Sequence, residues 1–177
     1  MVNPARDTTA GRVYNDLRNS ARRQKRATDE IMVEYVLERF LYRLATSPAG
    51  REHFVLKGGL LLAQFGARRM TRDIDILGQA FTGEEPEIIR RVRAIAATEV
   101  DDGVTFDSTS LRTAPIREDG RYHGLRLVMP ASIARAQLKL QTMSAWATPS
   151  PPSPNSSHTN NYWRPGPSPF SAIHSPP

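Results

Sequence analysis

Two aspartates separated by one residue, Asp73 and Asp75, are the side chains of this sequence whose type and spacing could do chemistry. In an extended strand, residues i and i+2 project from the same face, so the two carboxylates are expected to point together. Neighbouring carboxylates repel unless a cation lies between them, and carboxylates with substrate phosphates are usual ligands of Mg²⁺. The spacing therefore predicts a Mg²⁺ and triphosphate site with Asp73 and Asp75 as catalytic metal ligands.

A glycine pair, Gly58 and Gly59, precedes the two aspartates in the chain. It follows a short apolar strand predicted over residues 54–56 and leads into a helix predicted from residue 60. Glycines at a strand-to-helix turn let backbone N–H groups approach a phosphate, and the helix N-terminus adds partial positive charge. We therefore expect the turn at Gly58 and Gly59 to bind phosphate, with Lys57 placed beside it.

The segment between the glycines and the aspartates carries three arginines, Arg68, Arg69 and Arg72, around Thr71. A Gly-Gly pair or an Asp-x-Asp pair is common in proteins and is usually structural when it stands alone. A strand, Gly-Gly, a helix, Arg-x-Thr and Asp-x-Asp in this order are far more specific.

The elements that must position these residues are predicted from apolar periodicity and turn signals. Thr28 is expected to cap a core helix that ends at the Ser-Pro-Ala-Gly stretch from residue 47, with Asp29 and Glu30 in its first turn. A surface helix is expected over residues 84–98. Strands are expected over residues 104–107, 110–112, 122–128 and 134–141, with a hairpin turn at 118–120.

The first 27 residues are predicted to form a basic helical lead. Residues 1–12 are expected to be flexible, and residues 13–26 to form a mostly exposed helix. Its cationic side chains are either a solvated surface or a patch that faces RNA.

Composition narrows the class of protein. The chain has 177 residues, 39% of them hydrophobic, and no cysteine, which excludes disulfides and thiolate metal sites. We predict a cytoplasmic protein, because there is no apolar run that could span a membrane and no apolar segment typical of a signal peptide. The net charge of +6 and the pI of about 10.2 favour an anionic partner such as a nucleotide or nucleic acid, although a merely basic surface fits equally well.

The composition changes abruptly after Gln141. Residues 142–177 hold nine of the fourteen prolines, eight serines and a single charged residue, Arg164, and are predicted to be a disordered tail. A natural low-complexity linker is one interpretation, and a shifted reading frame is the one we favour. One permitted coding, with a single base restored near the Thr142 codon, reads Gln-Ile-Asp-Val-Gly-Val-Gly-Asp from residue 141 onward. This reading would continue the alternating strand and place a carboxylate two residues past Gln141.

The sequence resembles the AbiEii/AbiGii toxin family of nucleotidyltransferases, which includes the MenT toxins and belongs to the DNA polymerase beta-like superfamily. The resemblance runs from about Asn19 to Gln141. It implies an α/β (α+β) fold with a mixed sheet flanked by helices. It is carried by the motifs at residues 38–44, 54–59, 69–75, 102–104 and 122–127.

The resemblance also implies a function. It implies Mg²⁺-dependent transfer of a nucleoside monophosphate from an NTP to an acceptor such as tRNA, in a toxin–antitoxin system whose antitoxin is a separate protein. The positions of Asp73 and Asp75 would bind metal, and those of Lys57 and Thr71 would lie in the nucleotide site. In an intact relative, Lys57 would neutralise developing charge, Thr71 would contact a phosphate or a metal-bound water, and Arg69 would contact phosphate or brace the loop. Family members continue past Gln141 with an Asp-containing segment and a largely helical region, which this chain replaces with its tail.

Three segments and two rival functions follow. The segments are a lead over residues 1–27, an incomplete nucleotidyltransferase core over 28–141 and the tail over 142–177. One rival is an inactive, truncated relative that lacks the third carboxylate. The other is a non-catalytic basic module that binds RNA.

Overall fold

A computed structural model describes residues 4–57, 74–79, 84–118 and 122–146 of the chain. The described helices are α1 (Thr9–Gln24), α2 (Thr28–Thr46), α3 (Pro48–His53) and α4 (Glu85–Ala96). The described strands are β1 (Phe54–Lys57), β2 (Ile74–Gly78), β3 (Val104–Phe106), β4 (Arg112–Glu118), β5 (Tyr122–Ile133) and β6 (Ala136–Trp146).

The six described strands form one mixed sheet in the order β1-β2-β6-β5-β3, with β4 also paired to β5. The β2–β6 pair is parallel, and the other pairs are antiparallel. β5 is long enough to pair β4 along its first half and β3 along its last three residues. β5 and β6 are joined by the two residues Ala134 and Arg135, with Ala134 in the left-handed region at φ 49.

One face of this sheet is apolar and forms the core with the helices. The alternation predicted from the sequence is seen directly, because Leu125, Leu127 and Met129 of β5 are buried while Arg126 between them is exposed. Ile74 and Ile76 of β2 lie on the same buried face. α2 contributes the largest set of side chains packed against it: Ile31, Met32, Tyr35, Val36, Leu37, Phe40, Leu41 and Leu44.

A buried ion pair ties α2 to the loop after α4. Arg43 and Asp102 are 3% and 0% exposed, and Nη1 and Nη2 of Arg43 donate to the Asp102 carboxylate over 2.5 and 3.1 Å. The same carboxylate accepts the backbone N–H of Val104, and the Asp102 carbonyl accepts the Tyr35 hydroxyl at 2.9 Å. Burial raises the pKa of the Tyr35 hydroxyl above its usual range, which keeps it a neutral donor.

The N-terminal segment is more firmly packed than the sequence predicted. α1 begins at Thr9, inside the stretch expected to be flexible, and the Asn15 side chain donates to the Pro4 carbonyl at 2.9 Å. The predicted helix is present, but one side of it is buried in the core, with Leu17 at 0% exposure. A Cβ on Gly11 would lie 1.8 Å from the Ala5 carbonyl oxygen, so this close approach of the lead to the helix requires glycine.

Other predictions need smaller corrections. Ala27, not Thr28, is the N-cap of α2 and makes no side-chain cap, while Asp29 and Glu30 lie in the first turn as expected. The strand predicted over residues 110–112 begins only at Arg112, because Asp107 accepts N–H groups from Thr109 and Ser110 and holds a 3₁₀ turn there. The predicted helix over 84–98 is confirmed as α4, with Ile88, Val92 and Ile95 buried.

The last described strand, β6, runs five residues into the predicted tail, which starts at residue 142. β6 continues to Trp146, because its hydrogen bonds to β5 and β2 persist through the residues after Gln141. Thr142 is 1% exposed and belongs to the core face. The rest of the predicted tail, residues 147–177, lies outside the described part of the chain.

Candidate functional site

Asp75 lies on β2, the second strand from one edge of the described sheet, on the face that the described helices leave open. Its strand neighbours Ile74 and Ile76 are both buried in the core, so Asp75 projects to the opposite side, where it is half-buried. β2 is flanked by β1 on one side and β6 on the other. The position therefore supplies a carboxylate on a strand that is paired on each side, with the residue partly exposed and its Oδ1 buried.

The strand register places three further residues in one row with Asp75. Lys57 of β1 is aligned with Asp75, and so is Met143 of β6. Met143 is aligned in turn with Arg126 of β5. Because paired strands lie about 4.8 Å apart, Asp75 and Arg126 stand roughly 10 Å from each other across the row.

The structure brings together two of the seven residues predicted for the site. Lys57, predicted beside the glycine turn, is aligned with Asp75 through its backbone. The other five, Asp73, Gly58, Gly59, Arg69 and Thr71, lie outside the described residues, so their predicted roles stay predictions.

In the part of the chain that the structure describes, Asp75 is the candidate metal ligand. Within residues 4–57, 74–79, 84–118 and 122–146, no three His, Cys, Asp or Glu side chains are close enough to share a metal ion. Asp75 offers the oxygen ligand that Mg²⁺ prefers, on an open face that a triphosphate could reach. A complete site needs further oxygen ligands, for which Asp73 is the sequence-predicted candidate.

Two consecutive positions of β6 bear on the reading-frame hypothesis. Thr142 is aligned with Ile74 and Leu127 in the apolar core, and its hydroxyl has no hydrogen-bond partner among the described groups. Met143, the next residue, has no oxygen donor and occupies the register position beside Asp75. The restored frame would put an isoleucine at the buried position and an aspartate at the position beside Asp75. The hypothesis requires this register, and the nucleotide sequence of the gene tests it.

Arg126 is a candidate site residue that sequence reasoning missed. It is exposed on the same face as Asp75, and it is the cation that the described register brings into the row from β5. Its place on the open face could be read from the alternation of β5, because it stands between the apolar residues Leu125 and Leu127. Its alignment with Met143 of β6, and through Met143 with Asp75, depends on pairing between distant parts of the chain, which no local pattern predicts.

An open pocket of about 490 Å³ lies elsewhere, beside the end of α4. Its lining includes Arg43, Glu99 and Asp101 but none of the residues of the Asp75 row. Arg43 is ion-paired with Asp102, so this pocket lies beside a structural ion pair and is separate from the candidate site.

Comparison with known families identifies the class of protein. The model of the family described as nucleotidyl transferase AbiEii toxin, type IV toxin–antitoxin system, matches residues 39–170. This match covers well over half of the chain, and the chain belongs to that family. The match begins later and ends later than the resemblance predicted from sequence, which ran from about Asn19 to Gln141.

Two solved structures are similar to the chain at low identity. JHP933 from Helicobacter pylori is 15% identical, with a TM-score of 0.43, over 68% of this chain and 45% of that one. A second Helicobacter pylori protein, described provisionally as a nucleotidyltransferase, is 14% identical, with a TM-score of 0.42, over 72% of this chain and 49% of that one. The chain spans about half the length of these two structures. No curated protein matches the sequence.

The fold class predicted from the sequence is confirmed as a mixed sheet flanked by helices. Among the helices that the structure describes, none is long and apolar enough to cross a lipid bilayer.

Proposed function

We propose that this chain is a Mg²⁺-dependent nucleotidyltransferase that transfers a nucleoside monophosphate from an NTP to an RNA acceptor such as tRNA. The observation that carries the proposal is the family match over residues 39–170. It is supported by the carboxylate of Asp75 on the open sheet face, in register with two cationic residues, Lys57 and Arg126. We further propose the cytoplasm as the place of action and a separately encoded antitoxin as the partner that restrains it.

The roles of the residues follow from charge and position. Asp73 and Asp75 would hold Mg²⁺, which when bound supplies charge neutralisation and alignment of the triphosphate. Lys57 on β1 and Arg126 on β5 would neutralise the charge of the phosphate oxygens, because these two strands flank the β2–β6 pair. Gly58 and Gly59 would present backbone N–H groups to the phosphates, and Thr71 and Arg69 would contact them from the loop before β2.

The position of the label separates this reaction from other phosphate chemistry. The full chain is incubated with Mg²⁺, total tRNA and each NTP, labelled either at the α-phosphate or at the γ-phosphate. In nucleotidyl transfer the acceptor hydroxyl bonds to the α-phosphorus and pyrophosphate leaves, so only the α-label enters RNA. Label entering RNA from the γ-phosphate would indicate a kinase and would overturn the proposal.

A second candidate, an inactive relative with an incomplete metal site, is favoured by Met143 at the position beside Asp75. Met143→Asp would add a carboxylate in register with Asp75, while Lys139→Asp adds one to the same strand at an exposed position, aligned with Pro130 of β5 and beyond the β2–β6 pairing. Transfer by Met143→Asp alone, with none by the unaltered chain or by Lys139→Asp, would establish the incomplete site. Transfer by the unaltered chain would exclude it.

A further inference from the structure

The positive charge of the chain is concentrated in its first 27 residues. This segment holds seven Lys and Arg residues against two Asp residues, while the whole chain has a net charge of +6. The remaining 150 residues carry 17 basic and 16 acidic side chains and are nearly balanced. Almost all of the excess charge therefore belongs to α1 and its immediate flanks.

α1 displays this charge on its outward side. Its inward side chains Val13, Leu17 and Ala21 are buried, whereas Arg12 and Arg22 are exposed on the helix surface. Arg23 and Lys25 are exposed as well. None of the four exposed cations forms an ion pair with any residue that the structure describes.

In α2 and α4, by contrast, several arginines are paired with carboxylates. Arg90 of α4 pairs with Glu87, and Arg43 of α2 pairs with Asp102. Arg26, just past α1, pairs with Glu34 at 2.5 Å. The one carboxylate within α1, Asp16, is paired with Arg6 at 2.8 Å. Four exposed cations without ion pairs along about 20 Å, from residue 12 to residue 25, create a positive field that favours an extended anion.

Tyr14 extends the charged surface from α1 to the turn between β5 and β6. The guanidinium carbon of Arg18 lies 5.8 Å from the centroid of the Tyr14 ring, and that of Arg135 lies 5.4 Å from it. Nε of Arg135 also donates to the Tyr14 hydroxyl at 3.2 Å. Both cations are thus fixed beside one ring, so two parts of the chain contribute to a single surface.

We propose that this surface, the α1 basic face, is a docking site for the phosphate backbone of RNA. It consists of Arg12, Arg18, Arg22, Arg23, Lys25 and Arg135. Five of these six side chains are guanidinium groups, whose planar fork matches phosphate oxygens. The inference deepens the proposed function, since it rests on RNA being the acceptor, and it gives that acceptor a contact surface on the helical side of the molecule, away from Asp75.

The composition of the face distinguishes nucleic acid from other anionic partners. Membrane-surface helices add bulky apolar side chains to their cations, and protein interfaces are anchored by buried aromatic and apolar residues. Among the described residues, the exposed large hydrophobic side chain is Tyr42, which belongs to α2. The α1 basic face offers charge and hydrogen-bond donors only, as phosphate binding requires.

The test measures binding of fluorescent total tRNA to the full chain by anisotropy over a series of KCl concentrations. Arg22→Gln/Arg23→Gln/Lys25→Gln removes three cations of the α1 basic face. Arg51→Gln/Arg90→Gln/Arg112→Gln removes three exposed cations from α3, α4 and β4 as the matched control. The first variant should bind at least about tenfold more weakly at 0.1 M salt, with a slope of log K against log salt that is smaller by roughly 2. The control should change the affinity less than about threefold.

One further variant, a folding control and two competing ligands complete the binding experiment. Arg12→Gln, at the other end of α1, should weaken binding in the same direction, and circular dichroism should show unchanged helix content in every variant. Equal weakening by both triple variants, or no binding of tRNA by the unaltered chain, would overturn the proposal. Equal or tighter binding of duplex DNA or of vesicles containing phosphatidylserine would overturn the assignment to RNA.

Failure of this inference is separable from failure of the proposed function. Binding of tRNA is measured without NTP and Mg²⁺, so that it does not depend on the proposed metal and nucleotide site at Asp75, on the opposite face of the sheet. Binding that depends on α1 without nucleotidyl transfer would reject the enzyme and keep the docking surface. Nucleotidyl transfer to RNA that proceeds equally well in the α1 triple variant would keep the enzyme and reject the docking surface.

Discussion

Asp75 combines two properties that a metal-binding carboxylate needs. It is fixed by strand pairing on both sides, through Lys57 and Met143, and its side chain remains on the open face of the sheet. The type and spacing of the Asp-x-Asp pair were sufficient to select it from sequence. Its neighbours on the adjacent strands were not predictable, because their register depends on residues about 20 and about 70 positions away.

Thr142 places a polar hydroxyl group in the apolar core. Its hydroxyl is buried among apolar strand residues and finds no hydrogen-bond partner in the described chain. Thr142→Val removes the hydroxyl with little change of shape, so we expect the free energy of unfolding to rise by about 1 kcal/mol. Urea denaturation of both proteins measures the change.

The matched control for this substitution is Thr105→Val on the exposed side of β3. There the hydroxyl is hydrated, so its removal should leave the free energy of unfolding nearly unchanged. A loss of stability in Thr142→Val as large as that expected for a broken buried hydrogen bond would show that the hydroxyl has a partner after all.

At the scale of elements, the Arg43–Asp102 pair fixes the loop after α4 against α2. Asp102→Asn keeps the shape of the side chain and removes its charge, which leaves the guanidinium of Arg43 buried without a counter-ion. Breaking a buried pair in this way is expected to cost about 3–5 kcal/mol. Thermal and urea unfolding of the variant should show this loss.

Asp101→Asn is the control, because Asp101 is the exposed neighbour of Asp102 in the same loop. Its effect on the unfolding free energy should stay within about 0.5 kcal/mol. Equal stabilities of the Asp101→Asn and Asp102→Asn variants would mean that the ion pair does not hold the loop in solution.

The elements also show what sequence patterns can predict. α2, α4 and the first part of β5 follow from periodicities of 3.6 and 2, which are local properties of the chain. The strand predicted over residues 134–141 is wrong at its start, because residues 134 and 135 form the turn between β5 and β6. An Asp-Asp-Gly stretch is a local turn signal, and at residues 101–103 it coincides with a positive φ of 71 at Gly103. The complete burial of Asp102 was missed, because its partner Arg43 is 59 residues away.

At the scale of the whole molecule, the sheet separates two surfaces with different chemistry. The open face carries Asp75 and Arg126, and the helical side carries the α1 basic face. α1 shows why the net charge alone could not assign a role: its cations are exposed, yet its other side is part of the core. Removing the whole segment would therefore unfold the protein, and only surface substitutions can test its function.

The C-terminal boundary is also a property of the whole molecule. The change in composition after Gln141 indicated the end of the folded chain, but β6 continues to Trp146 because β2 and β5 provide partners on both sides. Pairing with strands already in place overrides the low β-propensity of a Ser- and Ala-containing segment. The family match to residue 170 likewise runs past the predicted boundary.

The measurement closest to the central claim is the rate of α-label transfer from NTP to RNA by the unaltered chain and by Asp75→Asn, with Asp101→Asn as the matched carboxylate control. We expect Mg²⁺-dependent transfer by the unaltered chain, a loss of at least about 100-fold in Asp75→Asn, and a rate close to that of the unaltered chain in Asp101→Asn. Transfer by a correctly folded Asp75→Asn protein at the rate of the unaltered chain would contradict the account, as would a folded, unaltered chain that transfers none of the four nucleotides.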